Sequence, residues 1–418
     1  VKRRRSRTPR ALIIVQNLPV PFDRRVWLES QALTNAGVDV TVICPKGPGD
    51  PARQHIDGVS ILKYQPYAPG GSAISFAMEY AYSFSRTLWL TLQARRQGAF
   101  QVVQACNPPD IFWPIARLLR RLDGTASVFD HHDLCPELFE SRFPDGPRAA
   151  HRGLLFLERM TLRTADHVTS TNESYAEIAM QRGGKGAEDV TVVRTGPDEK
   201  KLNRVAPAPA MKRGRRYLAA YVGVMGPQDG VDVAVRAADH IVNTLGRTDI
   251  SFLLMGAGDS YDELVELRDR LGLQDYVELP GRVSDEFLAQ ALSTADVGLS
   301  PDPLNPLNNV STMNKTMEYM AFGLPVLAFD LRETRVSAGS AARYARPNDV
   351  TDYAEELVRL LEDADSRRAM GSLARATIED ELAWRHQEKA YVGVYRRLLS
   401  ATRSSSTPRP AASTPSGE

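Results

Sequence analysis

The chain has 418 residues, of which 43% are hydrophobic and 25% charged, and its formal net charge is +1. That length is too great for one ordinary core and suits two domains. The composition is that of a soluble globular protein, and the near-neutral balance excludes a global field drawing the chain to nucleic acid. The charge is unevenly placed. Lys2, Arg3, Arg4, Arg5, Arg7 and Arg10 stand in the first ten residues without an acid. Residues 1–10 therefore read as a basic disordered arm, whose charge would favour contact with anionic lipid. Cys44, Cys106 and Cys135 are odd in number, far apart and not in metal-like pairs, which points to reduced thiols in a cytoplasm. The basic start leads straight into a strand pattern, so no signal peptide is expected.

Apolar runs then alternate with helical patterns. Strands are expected over 11–15, 38–44, 59–64, 102–106, 127–130, 167–171 and 190–194. Helices are expected over 23–36, 72–96, 110–122, 154–163 and from 173. The stretch 72–92 is the most apolar of these, but Glu79 and Arg86 interrupt it. It reads as too polar to span a membrane, though suited to lie on its surface. Residues 200–216 are rich in Pro, Ala and base and read as a linker. A second series follows, with strands over 217–223, 251–256, 276–279, 297–300 and 325–329. Its helices fall over 229–245, 260–271, 285–293, 314–322, 350–361 and 364–378, and a last helix over 384–399. The Ser- and Pro-rich end, 403–418, reads as a disordered tail.

This rhythm means α/β architecture: two doubly wound halves, 11–199 and 217–381, with helix 382–402 after them. Ligands bind such sheets at the carboxyl ends of the strands, so the cleft between the halves is the expected site. One candidate lies at 311–326. Ser311 or Thr312 can cap a helix whose free N–H groups favour phosphate, and Lys315 adds a full charge there. Glu318 shares a face with Asn314 and Lys315 and can accept two hydrogen bonds from a ribose diol. A capped surface helix with ordinary Lys and Glu residues fits the same pattern. A second candidate is His132 with Asp133 and Glu137, just past a strand end; His132 can donate to a sugar hydroxyl, and Asp133 can equally cap a helix. Their spacing matches no standard metal-ligand set, so no metal is expected. The third is the loop 17–25, where Asp23, Arg24 and Arg25 are expected to line the cleft; one arginine can face a phosphate, and the alternative is that both are solvated or paired with Asp23. Gly256-Ala257-Gly258 lacks the third glycine of a dinucleotide fingerprint, which argues against NAD.

The run Glu318-Tyr319-Met320-Ala321-Phe322-Gly323-Leu324-Pro325-Val326 resembles the signature of the retaining glycosyltransferases of family 4, which have the GT-B fold: two facing Rossmann-like domains with an interdomain cleft. Asp23-Arg24-Arg25-Val26, Asn107-Pro108-Pro109-Asp110, Phe129 to Glu137, Leu157-Glu158-Arg159 and Ala165 to Val168 fit the same family, over roughly residues 11–400. Within it the chain is most similar to enzymes that build bacterial surface polysaccharides or exopolysaccharides. The resemblance implies a sugar donated by a UDP- or GDP-sugar, no other cofactor, and a glycan, lipid-linked or small-molecule acceptor. It implies cytoplasmic work, with room for peripheral contact at the inner face of the plasma membrane, and no nucleic-acid partner. It places Glu318 at the ribose, Ser311, Thr312, Met313 and Asn314 around the diphosphate, and His132 beside the donor sugar. Gly281, Arg282 and Val283 would meet the nucleobase, and Gly223 would lie near the phosphates. In the family, a helix like 384–399 crosses back onto the first domain.

Three positions depart from the family pattern. Val310 stands where a first glutamate is usual, Val224 where an arginine is frequent, and Asp229 where a lysine often precedes Gly230. Lys315 and the helix start are then expected to neutralise the diphosphate, with Arg25 reaching over and Asp229 pointing away. A GT-B epimerase and a non-catalytic nucleotide-sugar binder remain as alternatives.

Overall fold

The computed structural model describes residues 8–67, 73–198 and 203–405. Residues 2–7 of the basic run, the head of the expected linker and most of the tail lie outside the described residues. The first half comprises β1 (Arg10–Ile14), α1 (Arg24–Asn35), β2 (Asp39–Pro45), β3 (Arg53–Ile56), β4 (Val59–Tyr64), α2 (Ala73–Arg95) and β5 (Val102–Cys106). It continues with α3 (Trp113–Asp123), β6 (Ala126–His131), α4 (Cys135–Arg142), α5 (Arg148–Thr164), β7 (His167–Ser170), α6 (Glu173–Gly183) and β8 (Val190–Val192). The sheet order is β3-β4-β2-β1-β5-β6-β7-β8. Ile13 lies opposite Val42 and Leu12 opposite Val103 in the two parallel pairings of β1. The central strands are buried on both faces, which is why they read as unbroken apolar runs.

β3 was not expected. It is the antiparallel edge strand of a hairpin whose turn is Asp57-Gly58, both with positive φ, and its side chains alternate between exposed and half-buried. The Asp-Gly pair was the available hairpin signal. The short helix α4 was also missed, because its polar, Pro-containing sequence has little apolar periodicity.

The second half comprises β9 (Tyr217–Val224), α7 (Val231–Asp239), β10 (Ile250–Ala257), α8 (Tyr261–Arg270), β11 (Val277–Gly281), α9 (Asp285–Thr294) and β12 (Val297–Ser300). Then come α10 (Asn314–Ala321), β13 (Val326–Phe329), α11 (Arg332–Ala338), β14 (Ala342–Ala345), α12 (Val350–Glu362), α13 (Ala364–Thr377) and α14 (Trp384–Ser405). Its sheet is all parallel, in the order β11-β10-β9-β12-β13-β14. α11 and β14 were not expected; each is too short for a period to show. The segment read as a linker is strapped to this half where it is described. Val205 N–H donates to Ser293 Oγ (2.9 Å), Ala208 N–H to Thr294 Oγ1 (2.8 Å), and Lys212 pairs with Asp296 (2.8 Å). α14 extends past the expected end, to Ser405, and buries Trp384, Tyr391, Val394 and Tyr395 in the core of the first half. No helix among the described residues is long and apolar enough to cross a membrane.

The second sheet is held at its switch point by one tyrosine. β9 and β12 pair at Ala219–Val297 and Ala220–Gly298. Beyond that, the Tyr319 hydroxyl accepts from Val222 N–H and donates to Leu299 O, both at 2.9 Å, and so bridges the two strands. Its ring lies so close to β12 that a Cβ on Gly298 would sit 2.3 Å from Tyr319 Cγ. Gly298→Ala is expected to destabilise the protein by about 1–3 kcal/mol through overpacking, read as a lower denaturation midpoint in urea.

Candidate functional site

In the first half the site is built on a buried ion pair. Asp23 caps α1, its Oδ1 accepting from Val26 N–H at 3.0 Å. Within the first turn of the helix, Arg25 turns inward and is 5% exposed. Its guanidinium grips Asp130 at the end of β6 bidentately, at 2.9 and 2.6 Å, and donates to Val193 O (2.9 Å) and Thr195 Oγ1 (3.0 Å). Thr169 Oγ1 donates to the same carboxylate at 2.9 Å. Glu29, one turn along α1, lies 3.3 Å from Arg25 and accepts from Gln104 Nε2 at 2.7 Å. Gln104 Oε1 in turn accepts from Tyr391 (2.8 Å) and Tyr395 (2.7 Å) of α14. Arg25 therefore does not reach over to a phosphate. A guanidinium buried in the first half is needed to compensate Asp130.

His132 stands at the open end of this network, with Nδ1 3.0 Å from Asp130 Oδ2. Burial would lower its pKa, but the hydrogen bond and charge of Asp130, with Asp133 behind, raise it to about 9. It is an imidazolium at neutral pH. Asn107, after β5, fixes the following loop. Its Oδ1 accepts from the N–H groups of His132 (2.9 Å) and Asp133 (3.1 Å), and its Nδ2 donates to Asp133 O (2.6 Å). Asp133 caps no helix; the N-cap of α4 is Leu134. His131 points the other way, stacked on Phe129 (5.2 Å between centroids) and beside Glu158 (3.7 Å). Of the two adjacent histidines, it is His131 that packs. Glu137 is turned to Arg182, which also holds Glu158, so it is no free cleft carboxylate.

In the second half, α10 begins at Asn314 with Met313 at its N-cap and no side-chain cap. Neither Ser311 nor Thr312 caps it. Ser311 Oγ donates to Leu307 O (2.8 Å), and Thr312 Oγ1 accepts from Asn172 (3.0 Å). The helix start keeps the uncapped N–H groups that an anion site needs. Lys315 is 8% exposed, lies 2.5 Å from Asp302 and 3.7 Å from Asp229, and sits over the Tyr221 ring at 5.1 Å. Burial would lower its pKa, but Asp302, Tyr221 and Asp229 raise it well above the usual lysine range. Asp229 thus points toward Lys315, against expectation, because it is the second carboxylate that this buried ammonium requires. Gly223 leaves room for the same side chain: a Cβ there would lie 3.3 Å from Lys315 Cε. Val224 is exposed.

The halves meet across the cleft. Arg24 Nη1 donates to Glu318 Oε1 at 2.9 Å and lies 3.8 Å from Asp285. Burial raises the Glu318 pKa, and Arg24 opposes that. Arg282, following Gly281 on β11, covers the Phe22 ring at 5.0 Å, while Val283 packs into the second core. On the other side of the contact, Asn172 Nδ2 donates to Val310 O (2.9 Å), Tyr175 and Ser311 share a hydrogen bond (2.8 Å), and Ser174 donates to Glu333 (2.5 Å). Val310 packs against a cluster of Leu134, Tyr175 and Leu307. An apolar side chain at this position serves the interface between the halves.

Sequence reading missed Glu29, Gln104, Asn107, Asp130 and Asp302 as members of the site. Asn107 and Asp130 lay inside motifs already quoted; the others carry no local signal. Among the described residues one group, Glu29, Cys106 and Asp130, has ligand atoms within 4.8 Å of one another. Arg25 already occupies both oxygens of Asp130, so the group is filled by a guanidinium and does not suit a cation.

Two family profiles match the chain: "Glycosyl transferase 4-like domain" over residues 23–196 and "Glycosyl transferases group 1" over 216–363. A D-inositol 3-phosphate glycosyltransferase of Nocardia farcinica is 27% identical over 256 residues, 58% of this chain and 55% of that protein. The chain thus spans about half the length of such curated relatives. Sucrose-phosphate synthase from Thermosynechococcus elongatus superposes with a TM-score of 0.75 at 20% identity, covering 94% of this chain and all of that one. WaaG, a glycosyltransferase involved in lipopolysaccharide biosynthesis, superposes with a TM-score of 0.69 at 16% identity, covering 91% of this chain and 98% of that one.

The network predicts an unusual pH profile. Burial and the nearby Asp130 push Glu29 up to about 8, against the pull of Arg25. The folded protein therefore holds an extra proton on Glu29 between its usual carboxylate range and about 8, and on His132 between its usual value and about 9. With more protons on the folded than on the unfolded chain, stability falls as pH rises through that window. The Tm is expected to drop from pH 5 to pH 9, and Glu29→Gln is expected to flatten the portion below pH 8. A Tm that climbs over this range would contradict the assignment.

Proposed function

The chain belongs to the GT-B-fold glycosyltransferase superfamily, and from that premise we propose that it moves a sugar from a nucleotide-sugar to an acceptor, with retention at the anomeric carbon and without a metal. The observation that supports this most is the meeting of the halves at Glu318 of α10: the start of that helix is uncapped, and the Glu318 carboxylate accepts from Arg24 of the first half. In this reading Glu318 takes the ribose diol, and the N–H groups of α10 meet the diphosphate. The acceptor oxygen bonds to the anomeric carbon, and the bond from that carbon to the phosphate oxygen breaks. The electron pair leaves with the diphosphate, which also takes the acceptor's proton. Catalysis is by positioning and by stabilising the leaving group. Asp23 caps a helix, Asp130 is held by Arg25 and Glu137 by Arg182, so these three are poorly placed as covalent nucleophiles.

The charge count assigns a role to the first half. Lys315 already faces two carboxylates, Asp302 and Asp229. The added positive charge for a diphosphate then comes from Arg24, once it releases Glu318 to the ribose, and from the His132 imidazolium. The reaction belongs in this reading to bacterial surface-polysaccharide or exopolysaccharide assembly on the cytoplasmic side, with a UDP- or GDP-sugar as donor. The same pair of carboxylates beside Lys315 favours a second reading, a nucleotide-sugar binder without turnover. It fails once any donor gives transfer to an acceptor.

A thermal-shift panel of UDP- and GDP-sugars identifies the donor, since binding to the native state alone raises the Tm. With that donor's nucleoside diphosphate, Lys315→Ala and Arg24→Ala are each expected to weaken binding about tenfold, or about 1.4 kcal/mol, by calorimetry. Unchanged affinity in both variants would refute the charge assignment.

A further inference from the structure

The loop that leads into α10 is held from two sides. Its first part is anchored in the second half. Asn308 Nδ2 donates to Gln228 O and Pro303 O, both at 2.9 Å, and Asn309 Oδ1 accepts from Arg332 N–H at 3.0 Å. Residues 310–312, directly before the Met313 N-cap, are anchored elsewhere. The N–H groups of Val310 and Ser311 donate within their own tight turn, to Leu307 O and Asn308 O. Among the described residues, the hydrogen bonds of 310–312 to more distant chain all go to the start of α6 in the first half. Asn172 is fully buried there and uses both ends of its amide. Its Oδ1 accepts from Tyr175 N–H at 2.7 Å and caps α6, while Nδ2 donates to Val310 O at 2.9 Å and to Thr312 Oγ1 at 3.0 Å. Ser311 has one hydroxyl proton and gives it to Leu307 O, so the Tyr175 hydroxyl is the donor in its 2.8 Å bond to Ser311 Oγ. The ring of the same tyrosine lies 5.5 Å from His131, the neighbour of His132.

We propose that Asn172 and Tyr175 are positioning residues for the diphosphate of the donor. They act through residues 310–312, which set where α10 begins and so where its uncapped N–H groups aim. A loop that must order itself on binding subtracts that cost from the affinity, so an anion gains most from backbone groups fixed beforehand. The fixing here comes from the other half of the molecule. The phosphate end of the donor site in the second half is complete only while α6 of the first half is docked on it. This inference rests on the placement of the diphosphate at α10 in the transfer reading above. The same interface supplies an internal comparison. Ser174 and Glu177 of α6 also bind the second half, but at Glu333 (2.5 Å) and Arg332 (3.2 Å) of α11, not at residues 310–312.

The full chain is titrated with UDP and GDP by calorimetry, and with uridine and guanosine by saturation-transfer difference NMR. Asn172→Ser keeps a neutral side chain that caps a helix well, but it is too short to reach Val310 and Thr312. It is expected to weaken the diphosphate that binds at least fivefold, and to leave the matching nucleoside within twofold. Tyr175→Phe keeps the ring and loses only the bond to Ser311. It is expected to weaken the diphosphate at least twofold, again without effect on the nucleoside. Ser174→Ala loosens the same interface at α11 and is expected to leave both ligands within twofold. The proposal is overturned if Asn172→Ser and Tyr175→Phe bind the diphosphate like the parent. It is also overturned if they lose the nucleoside as strongly, or if Ser174→Ala weakens the diphosphate as much as Asn172→Ser does. A parent chain that binds neither UDP nor GDP would instead sink the transfer reading itself, and this inference with it.

Discussion

The buried pair between Arg25 and Asp130 is the interaction on which the first half of the site depends. It takes two charges out of water, which is tolerable only because nearly every remaining hydrogen-bonding position is filled. Asp130 answers Arg25, Thr169 and His132; Arg25 answers Asp130, Val193 and Thr195. The pair joins the start of α1 to the ends of β6 and β8. Through Glu29 and Gln104 the same network reaches the two tyrosines of α14. Helix α14 is thereby tied to His132. Removing one member of such a pair leaves the other charged and alone, at a cost of about 3–5 kcal/mol.

The second half solves a similar problem with the opposite sign. Lys315 is the buried cation, and Asp302 and Asp229 compensate it beside the place where Tyr319 bridges β9 and β12. Val224 and Asp229 are therefore not independent departures from a family pattern. Val224 is exposed, while the Asp229 carboxylate lies 3.7 Å from the Lys315 ammonium. In the first half Arg24 and His132 are likewise paired, with Glu318 and with Asp130. Val310 makes the same point in apolar terms: it seats the loop before α10 against Tyr175 and Leu134 of the other half.

Much of the fold was readable because buried parallel strands must be apolar throughout, and helices between them must show a period near 3.6 residues. Residues 102–106 and 217–223 are of that kind, and both became strands. The elements that escaped, β3, α4, α11 and β14, are short or polar, and their positions are set by contacts with distant chain. The site was legible where a motif is continuous, as from Lys315 to Val326. It was not legible where partners come from far apart, as with Glu29, Gln104 and Tyr391.

The sequence by itself determined the two α/β halves and the cleft between them, and it singled out Glu318, Lys315 and His132 as candidates. Only the tertiary structure decided which charges are free to act there. It buried Arg25, paired Arg24 with Glu318 of the other half, turned Asp229 toward Lys315, and separated the packing His131 from His132 on Asp130. The reason is physical: a side chain's charge is set by burial and by partners up to hundreds of residues away, and neither is encoded in local spacing.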